Sequence, residues 1–198
     1  MRPSVYKSRV KRRWKWIVLL IILADGLAGG WWYYWQRERS QDAVIQAAAQ
    51  RYGVDPALVK AVVWKESWFN PRARGKKEEI GLMQLRAAAA GEWAAAERIP
   101  AFETAHLLDP ATNTLAGTWY LHTLMKRYSQ TDNPVPYALA DYNAGRSHVL
   151  KWNKGAASTN SAAFIGQIDF PGTRQYVQAI LKRRDRYHSS FPPPVSSQ

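Results

Sequence analysis

One glutamate of this chain interrupts a row of apolar residues. At helical spacing, one side of the segment 56–70 carries Leu58, Val62, Glu66 and Phe69. Glu66 therefore continues a row that is expected to pack inward. Burial disfavours the ionised form of a carboxyl group, so it raises the pKa and keeps the group protonated nearer neutral pH. A general acid must be protonated, and Glu66 is accordingly the candidate catalytic residue.

A structural role for Glu66 is the alternative. Its carboxylate could lie in water at the edge of the helix or pair with a nearby arginine, because buried charges in proteins are usually paired. The ends of the helix are well marked, since Asp55 is a favourable N-cap, Pro56 suits the first turn and Pro71 limits the C-terminal end. This helix alone does not decide between the two roles.

Three short segments further along the chain have residue types that suit a ligand. GLMQ at 81–84 places a glycine, which lets a backbone approach closely, before a soft apolar side chain and an amide that both donates and accepts. ADYNAG at 140–145 ends a helix, and TRQYV at 173–177 begins the last one. Taken singly, each segment is also typical of helix ends and core packing.

Together and in this order, the segments resemble a known family. Glu66-Ser67, GLMQ fifteen residues later, ADYNAG and TRQYV resemble the soluble-type lytic transglycosylases, the SLT domains of the goose-lysozyme-like superfamily, which are similar to glycoside hydrolase family 23. The resemblance extends over about residues 43–187. LDP at 108–110, Asn113, Gly117 and WYL at 119–121 look like the scaffold helix of that family, with a small residue for close packing.

The resemblance implies a lyase that cleaves the β-1,4 bond between N-acetylmuramic acid and N-acetylglucosamine in peptidoglycan. The family uses one essential acid where most glycosidases use two, and by position that acid is Glu66. It would protonate the leaving oxygen and then act as base on the C6 hydroxyl of the muramoyl unit, which closes a 1,6-anhydro ring. No cofactor is implied.

The resemblance also implies substrate-binding residues, which are Ser67, Met83, Gln84, Tyr142, Asn143 and Tyr176. Met83 and Gln84 would line the glycan groove, and Tyr142 and Asn143 would contact the sugar and hold the transition state. Tyr176 would pack beside the acid or bond to it. The neighbours of the acid, Trp64 and Trp68, could stack on sugar rings or pack in the core.

One position departs from the family pattern. Many members have a serine nine residues after the acid, where it helps to bind the acetamido sugar. Here the position is Gly75, within the loop RGKKEE at 74–79. A backbone amide or Lys76 could replace the serine contact, and the basic loop could attract the lactyl or peptide carboxylates of the wall.

Two other functions are compatible with the sequence. A goose-type lysozyme hydrolase would use the same fold and acid but would activate water with a second carboxylate, for which the sequence leaves Glu78, Glu79 and Asp141 as candidates. The other alternative is a wall-binding scaffold without activity. The chain has no cysteine and its four histidines lack metal-ligand spacing, so neither thiol chemistry nor a metal site is expected.

The N-terminal region predicts a membrane anchor. Residues 1–39 hold nine basic and two acidic residues and so carry +7 of the formal net charge of +13. A basic segment at 1–15 precedes an apolar span at 16–35 with aromatic residues at both ends, which favours a cytosolic N-terminus and an extracytoplasmic domain. This topology predicts a single-pass protein of the bacterial inner membrane with its domain in the periplasm. A cleaved signal peptide is the alternative, and Asp25 weakens the span.

The remaining sequence predicts an all-α, lysozyme-like domain at 43–188 between a short linker at 36–42 and a disordered tail at 189–198. Caps and periodicity predict further helices at 41–52, 82–98, 110–128, 136–144, 147–152 and 173–188. Residues 71–80 and 154–170 are predicted to be loops. The expected partners are peptidoglycan strands and the membrane, no nucleic acid is expected, and the sequence identifies no protein partner.

Overall fold

The computed structural model describes residues 5–189 and 191, and the chain divides into the units Met1–Ser40 and Gln41–Gln198. The described part of the first unit forms one helix, α1, over Val5–Arg39. A window of 18 residues in this part of the chain has a mean hydropathy of 1.5, and none of it is buried. By length and composition, this is the one helix among the described residues that can cross a membrane.

Helix α1 continues through the boundaries predicted at residues 15 and 35. It also includes most of the segment predicted as a linker, because α1 ends at Arg39 and the next helix begins at Asp42. Proline is the residue that most strongly interrupts a helix, and residues 5–41 contain none, so neither Asp25 nor the nearby glycines end it. Its 35 residues extend about 52 Å, which exceeds the hydrocarbon core of a bilayer, about 30 Å.

The second unit is built from helices joined by turns and loops. Its described residues form no strand and only two isolated bridges, Arg74 with Ile80 and Ile80 with Leu85. The prediction of an all-α fold is confirmed. The helices are α2 (Asp42–Tyr52), α3 (Pro56–Ser67), α4 (Ala87–Ala96), α5 (Pro110–Arg127), α6 (Pro134–Ala144), α7 (Arg146–Trp152), α8 (Ser161–Gln167) and α9 (Pro171–Tyr187), with 3-10 turns at Thr104–Leu108 and Gly155–Ser158.

Helix α3 lies at the centre of the second unit. It packs against α9 and α2, while α5 contacts α2, α4 and α6. Residues 57–63 are buried all round, and they include Lys60, whose ammonium pairs with Asp42 at 2.6 Å and lies 5.0 Å above the Tyr187 ring. Because α3 is enclosed by its neighbours, the position of its last turn, which carries Glu66, is fixed by the core.

The helix predicted over 82–98 begins only at Ala87. Residues 80–85 form a tight turn instead, closed by hydrogen bonds of 2.9 and 3.0 Å between the backbones of Ile80 and Leu85. Gly81 and Gln84 have left-handed φ angles of 80° and 47°, which an α-helix cannot accommodate. The prediction of a helix through GLMQ was therefore wrong.

The loop predicted over 154–170 also differs from the structure. It contains the second 3-10 turn and helix α8, whose N-cap Asn160 accepts a hydrogen bond from Ala163 N at 2.8 Å. The last helix begins at Pro171, and α6 begins at Pro134, each with a proline in the first turn. Of the predicted disordered tail, Phe191 is 9% exposed near Lys60, and residues 190 and 192–198 lie outside the described residues.

Candidate active site

Glu66 is held between two packed helices. It lies in the last turn of α3, and Tyr176 of α9 donates its phenolic O–H to Glu66 Oε1 at 2.5 Å. Burial raises the pKa of Glu66 to about 7; the hydrogen bond from Tyr176 opposes this rise, and the negative charge of Glu79 adds to it. Near neutral pH, the carboxyl group of Glu66 is therefore present in both its protonated and its ionised form.

Helix α3 ends directly after the acid because the next residues leave helical geometry. Trp68 and Phe69 have left-handed φ angles of 51° and 61°, which are unusual for bulky side chains and cost on the order of 1–3 kcal/mol each. Phe69 is fully buried, and burial of such a side chain contributes about 1.5–3 kcal/mol in return. Core packing of Phe69 thus supports the break that leaves Glu66 at the end of the helix.

A cleft of about 440 Å³ opens beside Glu66. Its walls come from the loop and turn before α4, from α5 and from the C-terminal end of α6. The lining residues are Glu66, Lys77, Glu79, Gln84, Leu85, Arg86, Ala89, Tyr120, Asp141, Tyr142, Asn143, Ala144 and Gly145. Three of the predicted substrate-binding residues line it, namely Gln84, Tyr142 and Asn143.

The neighbours of Glu66 in the sequence make contacts outside this cleft. Ser67 is buried, and its hydroxyl donates to the carbonyl of Val63 at 3.1 Å. Trp64 is half-buried under the Arg183 guanidinium, which lies 4.2 Å from its ring centroid, and Trp68 is 56% exposed. None of the three lines the cleft, which differs from the sequence-based expectation for Ser67.

Side chains from two helices hold the turn 80–85 that forms one wall. Asn113 of α5 is fully buried; its Oδ1 accepts from Met83 N at 2.8 Å, and its Nδ2 donates to the carbonyls of Ile80 and Leu107 at 2.8 and 2.9 Å. Tyr142 of α6 donates its O–H to the carbonyl of Met83 at 2.7 Å. Both backbone polar groups of Met83 are therefore satisfied by tertiary contacts, as a buried turn requires.

The side chain of Met83 belongs to the core and not to the groove in which the sequence placed it. Met83 is 0% exposed, and its sulfur lies 3.9 Å from the hydroxyl of Thr118. A Cβ at Gly117 would come within 2.8 Å of the Met83 Cβ, so α5 needs a glycine where the turn packs on it. Of the two neighbours Met83 and Gln84, it is Gln84 that lines the cleft. Its Nε2 donates to the carbonyl of Gly81 at 2.9 Å.

Helix α6 ends in the cleft with Tyr142 and Asn143. Burial raises the pKa of Tyr142 well above its ordinary value, so its hydroxyl remains a donor. The Oδ1 of Asn143, which is exposed, accepts from the hydroxyl of Thr173 at 2.8 Å. This bond orients the amide and leaves its nitrogen available as a donor at the cleft surface.

The other carboxylates of the cleft have partners of their own. Asp141 is 3% exposed, and its Oδ2 accepts hydrogen bonds at 2.7 Å from both Arg127 Nη1 and the hydroxyl of Tyr128. Glu79 Oε2 accepts from the backbone N–H of Lys77 at 2.9 Å. Asp141 is thus occupied by an ion pair, whereas Glu79 has an oxygen, Oε1, that is not used in this contact.

Gly75 lies where its loop folds over the side chain of Glu79. Its N–H donates to the carbonyl of Glu79 at 2.8 Å, and a Cβ at this position would meet the Glu79 carboxylate and lie 3.0 Å from Gln84 Oε1. The space that a larger residue would fill is therefore occupied by Glu79. The cleft accordingly has a carboxylate next to the position where the family pattern has a serine.

Tyr120 is a cleft residue that sequence reasoning placed only in the scaffold. Its ring centroid lies 5.5 Å from that of Tyr142. Asn113, Gly117 and Tyr120 follow one another at i, i+4 and i+7, so they share one face of α5. This spacing is visible in the sequence and could have identified Tyr120.

Proton transfer by Glu66 is the chemistry that this arrangement supports best. Glu66 is half-buried beside an open cleft, and the Tyr176 hydroxyl stabilises its ionised form. Among the side chains that the structure describes, no three histidine, cysteine or acidic residues cluster in a way that could hold a metal ion.

Replacement of Glu66 by Gln is expected to change how stability depends on pH. The unfolded chain ionises this group near 4.5 and the folded protein near 7, so the folded state holds the extra proton between these values. Raising the pH from 4 to 8 should therefore lower the free energy of unfolding of the wild type by about 3 kcal/mol relative to Glu66→Gln. Urea unfolding at both pH values measures this difference.

The matched control for this experiment is Glu92→Gln, at an exposed position of α4 that does not line the cleft. Because it retains Glu66, this variant should lose as much free energy of unfolding between pH 4 and pH 8 as the wild type does. An equal free-energy difference between wild type and Glu66→Gln at pH 4 and pH 8 would contradict the raised pKa.

Sequence comparisons connect this arrangement with a known family. The sequence model of the family described as Transglycosylase SLT domain matches residues 43–165. The soluble lytic murein transglycosylase of Escherichia coli (strain K12) is 34% identical over 140 residues, 70% of this chain and 21% of that protein. The membrane-bound lytic murein transglycosylase C of Haemophilus influenzae (strain PittGG) is 37% identical over 121 residues, 58% of this chain and 34% of that protein. The chain spans about a fifth to a third of the length of these curated relatives.

Solved structures agree with the sequence comparisons. An inactive mutant of the lytic transglycosylase Slt from Pseudomonas aeruginosa has a TM-score of 0.68 and 30% identity, covering 75% of this chain and 24% of that one. The complex of a 70 kDa soluble lytic transglycosylase with bulgecin A has a TM-score of 0.71 and 26% identity, covering 84% and 27%. The helical unit therefore has the lysozyme-like SLT fold. Because the family match extends over more than half of the chain, this protein belongs to the transglycosylase SLT domain family.

Proposed function

We propose that this protein is a membrane-anchored lytic transglycosylase that cleaves the β-1,4 bond between N-acetylmuramic acid and N-acetylglucosamine in peptidoglycan. The observation that carries the proposal is the half-buried Glu66 beside an open cleft, with a pKa near 7 and a tyrosine hydroxyl on its carboxylate. Membership of the SLT family and the names of the related proteins support the choice of substrate.

The proposed reaction uses Glu66 twice. Its protonated form donates a proton to the glycosidic oxygen as the bond from C1 of the muramoyl unit to that oxygen breaks. The resulting carboxylate, stabilised by the O–H of Tyr176, then accepts the proton of the C6 hydroxyl while the C6 oxygen bonds to C1. The glutamate recovers its proton and no water is consumed, so the product is a 1,6-anhydromuramoyl end. A pKa near the working pH suits a group that must act first as acid and then as base.

Other residues are proposed to bind the glycan. Gln84, Tyr142 and Asn143 line the cleft and offer amide and aromatic surfaces to a sugar. Met83 and Tyr176 act behind this surface, Met83 by packing the turn and Tyr176 by holding the acid. Ser67 supports α3 through its bond to Val63 and has no proposed contact with substrate.

Glu79 favours one alternative function, hydrolysis of the same bond. A goose-type lysozyme mechanism needs a carboxylate to activate water. Asp141 is occupied by Arg127 and Tyr128, whereas Glu79 lines the cleft with an oxygen that Lys77 does not engage. A hydrolase would therefore act through Glu79.

Mass spectrometry of the muropeptides released from purified sacculi by the detergent-solubilised protein separates these functions. We expect 1,6-anhydro ends from the wild type and no release by Glu66→Gln, which lacks the proton to donate. The variant Glu79→Gln should still yield anhydro ends. Reducing ends, heavier by one water, that disappear in Glu79→Gln would establish the hydrolase. Release that is unaffected by Glu66→Gln would remove Glu66 from the mechanism, and absence of release by every form would favour the non-catalytic scaffold.

The proposed location is the bacterial inner membrane, with one pass and the helical domain in the periplasm. The length and composition of α1, the basic residues before the apolar stretch and the relative described as membrane-bound support this topology. No nucleic acid is a proposed partner.

A C-terminal alkaline phosphatase fusion, which is active only outside the cytoplasm, tests the orientation. We expect activity in the membrane fraction, with the N-terminal peptide still present by mass spectrometry. A soluble, shortened product would instead indicate a cleaved signal peptide, and an inactive fusion would place the domain in the cytosol.

A further inference from the structure

A second cleft adjoins the candidate active site. It has a volume of about 530 Å³ and shares Lys77 and Arg86 with the first cleft. It is lined by Arg74, Lys77, Glu78, Ile80, Arg86, Ala87, Ala88 and Thr104. Because two side chains border both clefts, a ligand in the first can extend into the second over their shared edge.

The lining of this second cleft is strongly cationic. Arg74, Lys77 and Arg86 face one carboxylate, Glu78, and none of the three has an ion pair within the described part of the chain. Three unpaired cations in one concavity give a local positive potential that attracts anions.

The first cleft is less positively charged. Glu66, Glu79 and Asp141 line it together with Lys77 and Arg86, and Asp141 is already paired with Arg127. The charges of the first cleft therefore nearly balance, whereas in the second cleft Arg74 adds to the shared cations Lys77 and Arg86. The arrangement suits a substrate with a neutral part in the first cleft and a negatively charged branch in the second.

We infer that the second cleft binds the carboxylates of the peptide stem carried by the muramoyl unit. This inference rests on the proposed function, because peptidoglycan has this charge distribution: neutral sugar rings, and a lactyl-linked peptide with free carboxylates. Arginine and lysine bind carboxylates by charge-assisted hydrogen bonds. Arg74, Lys77 and Arg86 are therefore residues that determine specificity for wall strands with acidic stems.

The affinity of the full-length protein for two matched ligands tests the inference. One ligand is a disaccharide muropeptide with free stem carboxylates, and the other is the same molecule with these carboxylates amidated. In a Glu66→Gln background, which avoids turnover, we expect the free-acid ligand to bind about tenfold more tightly, as about 1.4 kcal/mol of charge-assisted contacts gives. Adding Arg74→Gln and Lys77→Gln should reduce this ratio to about one.

The matched control replaces a lysine and an arginine that line neither cleft. Lys182→Gln with Arg186→Gln, at two exposed positions of α9, removes the same charge and should leave the tenfold ratio in place. Two results would overturn the inference. One is equal affinity for the free-acid and amidated ligands in the Glu66→Gln protein. The other is a tenfold affinity ratio that persists after Arg74→Gln and Lys77→Gln are added. Equal competition by glycerol phosphate polymer would also overturn it, because the cleft would then be a general anion site.

This experiment is independent of the reaction. Binding requires no cleavage, so the affinity ratio can fail while anhydro products are still formed, which would reject the subsite alone. Conversely, reducing ends in the product analysis would reject the transglycosylase chemistry while leaving the affinity ratio intact.

Discussion

The burial of one carboxyl group at the end of α3 is the constraint on which the site depends. Glu66 can be retained there because α3 is enclosed by its neighbours and because Tyr176 of α9 donates a hydrogen bond to the carboxylate. Burial raises the pKa of Glu66, and the tyrosine limits that rise. The same carboxyl can therefore release and recover a proton near neutral pH, at some cost in the stability of the fold.

A second constraint is the turn that forms a wall of the cleft. The left-handed residues of 80–85 persist because Asn113 and Tyr142 satisfy the backbone of Met83 and because Gly117 leaves room for its side chain. The wall thus depends on α5 and α6, which also present Tyr120 and Asn143 to the cleft. Fold and site are linked through these few polar contacts in the core.

Local signals in the sequence predicted much of this architecture. Helices α2, α3, α5 and α9 follow from caps, prolines and periodicity, and the row of Leu58 and Val62 located Glu66. The prediction of a helix through GLMQ failed because the geometry of this segment depends on hydrogen bonds from residues 30 and 59 positions away, which no local window contains. Met83 was assigned to the groove because the family resemblance implied it, whereas packing against Gly117 and Thr118 encloses its side chain. The sequence indicated that the basic loop 74–79 could attract carboxylates of the wall, but it did not indicate that Arg86 lines a second cleft with this loop, because Arg74 and Arg86 come together only after the turn forms.

The most direct test of this account is the pKa of Glu66 itself. Titration of the side-chain carbonyl carbons of ¹³C-labelled glutamate by NMR, with Glu66→Gln to assign the resonance, measures it without any assumption about substrate. We expect an inflection near pH 7. An inflection near 4.5, the ordinary value for glutamate, would mean that burial does not keep this group protonated and would contradict its role as general acid.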